Sequence, residues 1–158
     1  MGWNDYRFRT EWRVPAGPDE AYAVLAALEE YPRWWPEVRR VELEGEEAYR
    51  VTVRALLPYE LVSVVREDRR DPVAGVLEAR MTGDVSGFSR WTVHPDGDGA
   101  LLVFEEEVEA GKRLLRRLAF VARPAFRANH MLMMRHGERG LRTYLAGYRL
   151  GRAHPGMP

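Results

Sequence analysis

The sequence predicts an α+β fold in which a mostly antiparallel sheet of seven strands is covered by one long C-terminal helix. Seven segments alternate apolar with polar or charged side chains, which is the pattern of strands that have one buried face. The stretch from Lys112 to Tyr148 instead spaces its apolar residues mostly three, four and seven apart, which is typical of an amphipathic helix. Such a helix is long enough to cover the apolar face of a small sheet.

The composition fits one domain. A length of 158 residues with 46% hydrophobic content allows a sizeable core, and we predict one domain at residues 1–150 with a flexible tail at 151–158. Basic and acidic residues number 24 each, so no overall positive field would attract nucleic acid or anionic lipid. The absence of cysteine excludes disulfides and thiolate metal sites. Without a signal-peptide pattern or an apolar run of about 18 residues, a cytoplasmic protein with no stable membrane insertion is expected.

The first strand is predicted at residues 6–14, where aromatic and small apolar side chains alternate with charged ones. Pro18 followed by two carboxylates is typical of a helix start, because proline fits the first turn and acids favour the positive end of the helix dipole. This helix should end before Pro32. The segment 31–36, Tyr-Pro-Arg-Trp-Trp-Pro, then forms a loop or short helix that packs in the core or lines the mouth of a cavity.

Six further strands are predicted, and their short polar or glycine-containing links favour an antiparallel meander. They are placed at residues 38–44, 48–57, 59–69, 74–82, 86–94 and 100–110. Residues 96–99 and the acid Glu107 have the spacing of a calcium-binding loop. Leu101 stands where such a loop needs glycine, and strands flank the segment, so we predict a hairpin turn here.

Pro124 interrupts the C-terminal helix, because proline lacks a backbone donor and costs about 3 kcal/mol inside an unbroken helix. We therefore expect either a kink or two helical pieces that meet near Arg123. The piece after Pro124 has about 25 residues and spans about 37 Å at 1.5 Å per residue. Gly137 lies on or near its apolar stripe, at a cost of about 1 kcal/mol relative to alanine, which predicts a gap in the side-chain wall there.

The order of these elements and several short motifs resemble the START-like superfamily of polyketide cyclases and lipid-transfer proteins, to which the birch pollen allergen fold also belongs. The motifs are the 31–36 segment, Gly87-x-x-x-Trp91, Asn129-His130 and Met134-x-x-Gly137-x-x-Gly140-Leu141. The resemblance covers nearly the whole chain. It implies a helix-grip fold, in which a curved seven-stranded antiparallel sheet wraps around the long C-terminal helix, with short helices after the first strand and a cavity between sheet and helix. It does not specify the chemistry.

If the inner face of that sheet is the apolar one, strand alternation predicts which side chains line the cavity. In the last strand, Glu105 and Glu107 should face outward. The candidate ligand-binding residues are Trp35 at the entrance and, as walls, Tyr49, Ser89, Trp91, Phe104, Met134 and Leu141.

Glu106 is an acid on the otherwise apolar face of the last strand. Burying an unpaired carboxylate is costly, so this group should find a partner or take up a proton. We therefore regard Glu106 as a candidate catalytic residue that polarises a ligand or transfers a proton. The alternatives are a local bulge that turns it to solvent and an ion pair with an arginine at the rim.

His130 is the second candidate catalytic residue, about one turn before Met134, with ordinary side-chain packing as the alternative. It is six residues from His136, which places the two on different faces of the helix and argues against a shared metal site. Met131 and Met133 form a soft patch with Met134 that fills the core or contacts a ligand.

These observations favour binding of a hydrophobic or aromatic small molecule, such as a lipid, polyketide or isoprenoid, between the sheet and the last helix. One alternative is a polyketide cyclase or dehydratase that uses Glu106 and His130, and another is a protein-interaction module with a vestigial cavity. The sequence has no phosphate-binding glycine loop, dinucleotide fingerprint or nucleophile elbow, so no cofactor is expected. No nucleic-acid partner is expected, and a homodimer is compatible with the sequence, which does not determine the oligomeric state.

Overall fold

In a computed structural model, the chain is described over residues 5–117 and 123–153, with side chains described as far as Tyr148. Seven strands and three α-helices account for most of these residues. The strands are β1 (Asp5–Val14), β2 (Val38–Leu43), β3 (Ala48–Val53), β4 (Leu61–Asp71), β5 (Val76–Gly83), β6 (Val85–Asp96) and β7 (Gly99–Ala110). The helices are α1 (Pro18–Ala26), α2 (Lys112–Arg117) and α3 (Arg123–Ala153), and a 3₁₀ helix (Leu28–Arg33) follows α1.

The seven strands form one sheet in the order β1-β7-β6-β5-β4-β3-β2, and every neighbouring pair is antiparallel. Strands β2 to β7 are sequential neighbours, which is the predicted meander. β1 joins the far edge beside β7, so the first and second strands lie at opposite edges of the sheet. The predicted α+β helix-grip architecture is therefore confirmed.

The third strand is shorter than predicted, because β3 ends at Val53 instead of residue 57. The backbone N–H groups of Leu56 and Leu57 donate to Asn129 Oδ1 on α3, at 2.7 and 3.1 Å, and so are not available to a strand ladder. Pro58 has no backbone donor at all. Residues 54–60 consequently form a loop that is tied to the long helix.

The first helix begins at Pro18 with two acids in its first turn, as predicted. The aromatic segment after it is a short helix and turn, since Pro32 lies inside the 3₁₀ helix. Its three aromatic side chains, Tyr31, Trp34 and Trp35, are all buried. This segment therefore belongs to the core of the protein.

Pro124 is the second described residue of α3. Helical structure is described for α2 and α3, and residues 118–122 between them, which would distinguish a kink from two separate pieces, lie outside the described residues. α3 continues through Ala153, three residues into the predicted tail, and residues 154–158 also lie outside them.

No helix within residues 5–117 and 123–153 is long and apolar enough to cross a membrane.

Candidate functional site

A cavity of about 400 Å³ lies between the inner face of the sheet and α3. Strands β3 to β7 contribute side chains that alternate toward it, whereas α1, the 3₁₀ helix and Trp35 close one side and Met133 of α3 forms part of the roof. Most of the wall is aromatic or aliphatic. The inner-face residues of the sheet are Tyr49, Val51, Val53, Val65, Glu67, Leu77, Ala79, Met81, Ser89, Trp91, Phe104 and Glu106.

A smaller chamber of about 130 Å³ adjoins this cavity, toward the loop at residues 54–60. Glu106 and Met133 line both spaces, whereas Phe126 and His130 line only the smaller one of the two. Glu106 therefore lies at the junction, where it can reach a molecule in either space.

The carboxylate of Glu106 pairs with the imidazole of His130. Their Oε2 and Nε2 atoms are 2.8 Å apart, and the two side chains are only 13% and 10% exposed. The ring of Phe8 stacks on the imidazole with a centroid distance of 3.6 Å and an interplanar angle of 10°. The imidazole Nε2 and the carboxylate oxygen thus share one hydrogen bond, in which the tautomer of His130 sets the donor.

The strands explain how the pair is assembled. Phe8 of β1 and Ser89 of β6 are the cross-strand partners of Glu106, one on each side, and the register is unbroken at this point. A bulge that turns Glu106 to solvent is therefore absent. Both outward neighbours also lie as predicted, because Glu105 pairs with Arg90 and Glu107 pairs with Arg7.

This arrangement holds a carboxylate in a fixed orientation inside an apolar wall. One oxygen is bound to His130, and a carboxylate has capacity for further hydrogen bonds. Ser89 lines the same cavity and supplies a hydroxyl that can donate or accept. The site can therefore orient a polar group on an otherwise apolar ligand, and its carboxylate can act as a base toward an adjacent acidic C–H or O–H bond.

Four of the predicted wall residues, Tyr49, Ser89, Trp91 and Phe104, line the cavity. Trp35 lines it too, but it does not lie at an entrance. Its side chain is 4% exposed, and its Nε1 donates to the Met133 carbonyl oxygen at 2.9 Å. Trp35 is therefore an inner wall that joins the 31–36 segment to α3.

The placement of Met134 and Leu141 in the cavity wall was wrong. They are 2% and 0% exposed and belong to the closed core with Trp12, and neither lines the cavity. Met133 takes the wall position instead. Consecutive helix residues point about 100° apart, given 3.6 residues per turn, so a small error in the assumed rotation of α3 exchanges Met134 for Met133.

The sequence analysis named Asn129 only within the Asn129-His130 motif and assigned it no role, whereas its side chain lines the small chamber. It is 6% exposed, and its Oδ1 accepts both backbone bonds from the loop at residues 54–60. The sequence did contain one signal for a role of this residue: a polar amide next to a histidine on the apolar side of the helix. Its partners lie more than 70 residues away and could not be identified from spacing.

Charged side chains line the outer rim of the main cavity. Arg70 donates to Glu67 Oε2 from Nε and Nη2, at 2.9 and 2.7 Å, and its Nη2 also lies 3.3 Å from the carbonyl oxygen of Ala26 at the end of α1. The hydrogen bond with Glu67 raises the pKa of the Arg70 guanidinium. The Arg70 guanidinium is therefore already hydrogen-bonded to acceptors within the protein.

Tyr31 contributes a ring to the wall, but its hydroxyl is used by the protein itself. The hydroxyl donates to the Leu25 carbonyl oxygen at 2.7 Å, and burial raises the pKa of Tyr31. Its proton consequently stays in place at any physiological pH.

Among the residues that the structure describes, no group of three or more acidic, histidine or cysteine side chains could hold a metal ion. His136, the other histidine of α3, pairs through Nδ1 with the buried carboxylate of Glu37.

Comparison with known proteins agrees with this fold. The sequence profile of the family described as polyketide cyclase/dehydrase and lipid transport matches residues 6–146. No curated protein matches the sequence significantly.

Solved structures with the same fold come from several bacteria. The Zhui aromatase/cyclase from a Streptomyces species has a TM-score of 0.72 at 19% identity, and the match covers 97% of this chain and 99% of that one. A START superfamily protein from Mycobacterium smegmatis has a TM-score of 0.72 at 16% identity, with coverage of 90% and 98%. A conserved protein from Geobacillus kaustophilus has a TM-score of 0.73 at 12% identity, with coverage of 90% and 95%. These identities establish the fold alone. The profile match over residues 6–146 shows that this chain belongs to the polyketide cyclase/dehydrase and lipid-transport family, and its helix-grip fold agrees with that membership.

Proposed function

We propose that this protein binds a hydrophobic or aromatic small molecule in the cavity between the sheet and α3. The observation that carries the proposal is an unfilled volume of about 400 Å³ whose wall is mostly aromatic or aliphatic, with Glu106 and Ser89 on its β7 and β6 side and charged side chains at its rim. Ligand pockets in proteins have this size range and this pattern of apolar walls with a few convergent polar groups.

The aromatic content of the wall favours a ligand with a planar ring system. Trp35, Trp91 and Phe104 all contribute rings, and aromatic pairs gain about 0.5–1.5 kcal/mol beyond the effect of area burial. Membership of a family of cyclases and lipid carriers supports the same class of ligand. Lipids, polyketides and isoprenoids all remain within this class.

The first experiment is native mass spectrometry of gently purified protein, followed by organic extraction of any molecule that is carried along. We expect a stoichiometric hydrophobic ligand, or saturable binding of an added naphthalene compound if the protein is purified empty. The variant Ala79→Phe places a ring in the cavity and should reduce that binding at least tenfold. Thr82→Phe on the same strand is the control, because Thr82 is exposed and lines a groove on the outer face.

Two results would count against ligand binding: no retained or added apolar compound binds, or Ala79→Phe and Thr82→Phe have equal effects on affinity. Either result would favour the interaction module with a vestigial cavity. The unfilled volume argues against that alternative, since a module of this kind would be expected to have its interior filled by side chains.

A polyketide cyclase or dehydratase activity is the second candidate, favoured by the 2.8 Å pair of Glu106 and His130 in the cavity wall. The Glu106 carboxylate would remove a proton from a carbon beside a ligand carbonyl. The C–H bond would break, an O–H bond would form on Glu106, and the electron pair would pass to the enolate oxygen, where a donor stabilises it. His130 would hold the carboxylate in its reactive orientation.

Glu106→Gln tests the catalytic role of this group. Glutamine is nearly isosteric but is not a base, so turnover of a model polyketide should fall by at least a hundredfold, while its binding stays measurable. Turnover that persists in this variant would remove Glu106 from the mechanism and leave the binding proposal standing.

A further inference from the structure

The charged side chains around the main cavity are mostly acidic. The described residues that line the main cavity include four carboxylates and one guanidinium: Glu29, Glu67, Glu78, Glu106 and Arg70. The protein as a whole has equal numbers of basic and acidic residues, so this acidic bias is a local property of the cavity.

The guanidinium at the rim is already paired with a carboxylate of the protein. Arg70 is held by two hydrogen bonds to Glu67 Oε2 and lies against a carbonyl oxygen of α1. Glu78 is likewise paired with Arg90, which does not line the cavity. A carboxylate or phosphate on a ligand would therefore enter without a cationic partner, which is costly inside a protein.

The deep wall offers hydrogen-bond acceptors instead. Glu106 lies at the centre of the row Phe8, Glu106, Ser89, Ala79, in which consecutive residues are cross-strand partners on β1, β7, β6 and β5. The carboxylate is thus flanked by a small hydroxyl and by apolar side chains. His130 occupies Oε2 from the helix side. A carboxylate has acceptor capacity beyond this one bond, and Glu106 is one of the residues that line the main cavity.

The adjoining chamber does not change the excess of acidic side chains around the main cavity. Of its charged lining residues, His130 is already bonded to Glu106, and Arg54 is an exposed residue that also lines the groove on the outer face. Neither presents an unoccupied cation to the main cavity.

We infer that the natural ligand is an apolar, ring-containing molecule that carries a hydrogen-bond donor, either a protonated amine or a hydroxyl group, and that ligands bearing a carboxylate or phosphate are rejected. The inference rests on the proposed binding function and narrows it, because free fatty acids and phosphorylated lipids are excluded. A donor on the ligand bonds to Glu106 in a charge-assisted interaction, which is stronger than a neutral hydrogen bond.

The test is isothermal titration calorimetry with four compounds that share one ring system: 2-naphthalenemethylamine, 2-naphthalenemethanol, 2-naphthoate and 2-methylnaphthalene. For the unmodified protein, we expect the amine and the alcohol to bind at least tenfold more tightly than the carboxylate. The difference between the amine and the alcohol distinguishes a cationic donor from a neutral one. This comparison needs no variant, so it stands even if a substitution impairs folding.

Glu106→Gln then assigns the preference to one residue. Because glutamine has no charge and can donate as well as accept, amine binding should weaken about tenfold and naphthoate binding should improve, while the alcohol changes little. Glu105→Gln is the matched control: it removes the same charge from the neighbouring position of β7, whose side chain pairs with Arg90. Affinities for all four compounds should be unchanged in this control.

Naphthoate that binds as tightly as the amine and the alcohol would overturn the inference, as would an amine preference that survives in Glu106→Gln. If 2-methylnaphthalene binds but the polar groups make no difference, the inference fails and the proposed function stands. If none of the four compounds binds, the proposed function fails and the inference fails with it.

Discussion

The two halves of α3 meet the rest of the protein in opposite ways. In the second half, Gly137 and Gly140 let the helix backbone press directly against the 31–36 segment. A methyl group at Gly137 would lie 2.6 Å from the ring of Trp35 and 2.8 Å from that of Trp12, and one at Gly140 would overlap the carbonyl oxygen of Trp34. We call this region the closed end; Trp12, Leu141 and Leu145 are fully buried there.

In the first half of α3, long side chains hold the helix away from the sheet. His130 reaches Glu106, Asn129 reaches the loop at residues 54–60, and Met133 lines both cavities. The space between these contacts is unfilled. The contrast teaches that one helix can both anchor the fold and leave room for a ligand, because side-chain size decides the local distance between helix and sheet.

The largest expected effect is the loss of stability when a leucine of the closed end is replaced by alanine. The comparison is the same replacement of a leucine at the cavity. Leu141→Ala should lower the free energy of unfolding by about 2–5 kcal/mol, because it removes a fully buried side chain from close-packed surroundings. Leu28→Ala should cost less than half as much, since Leu28 is partly buried and one side already faces the cavity. Urea denaturation of both variants provides the comparison, and equal losses would mean that the two regions are packed alike.

Gly140→Ala tests the same difference in packing by adding a methyl group where α3 lies against the backbone of Trp34. The added methyl group must displace the Trp34 backbone, and such overpacking costs about 1–3 kcal/mol. Gly147→Ala is the matched control in the same helix, because nothing lies within 4 Å of the position. It should stabilise the protein by about 0.5–1 kcal/mol through helix propensity alone. Thermal unfolding measures both, and stabilisation by Gly140→Ala would show that the glycine is not needed for packing.

A smaller effect should appear at alkaline pH, where Tyr31 reports on the closed end. Burial raises its pKa, so the folded state holds the phenolic proton more tightly than the unfolded state. Stability is therefore unaffected below the ordinary tyrosine pKa of about 10 and falls above it, by up to about 1.4 kcal/mol per pH unit. Urea denaturation at pH 9 to 11 should show this loss. Tyr31→Phe should make this loss smaller, because the buried hydroxyl is then absent.

Much of the sheet was predictable because strand periodicity is strict. Side chains alternate with a period of two, so one apolar position orients a whole strand, and Tyr49, Ser89, Trp91, Phe104 and Glu106 were all assigned to the correct face. The end of β3 was predicted less well. Its last residues are drawn away by Asn129, a partner more than 70 positions along the chain.

The helix was harder to predict in detail. Amphipathic spacing identified the buried apolar face of α3 and made His130 a candidate site residue. That face is broad, however, and one part of it meets the packed core while another part meets the cavity. Met134 and Leu141 face the closed end, and Met133 faces the cavity, although all three lie on or beside the same stripe. Spacing alone does not state which part of a stripe meets packed atoms and which part meets empty space.

The sequence by itself determined the α+β architecture, the inward orientation of Glu106 and the presence of an apolar inner face. These properties follow from local periodicity, which depends only on neighbouring residues. The tertiary structure decided that Glu106 meets His130 and that a cavity of about 400 Å³ remains open. Each of these depends on how far α3 or α1 stands from the sheet, a distance set by the combined sizes of side chains that are far apart in the chain.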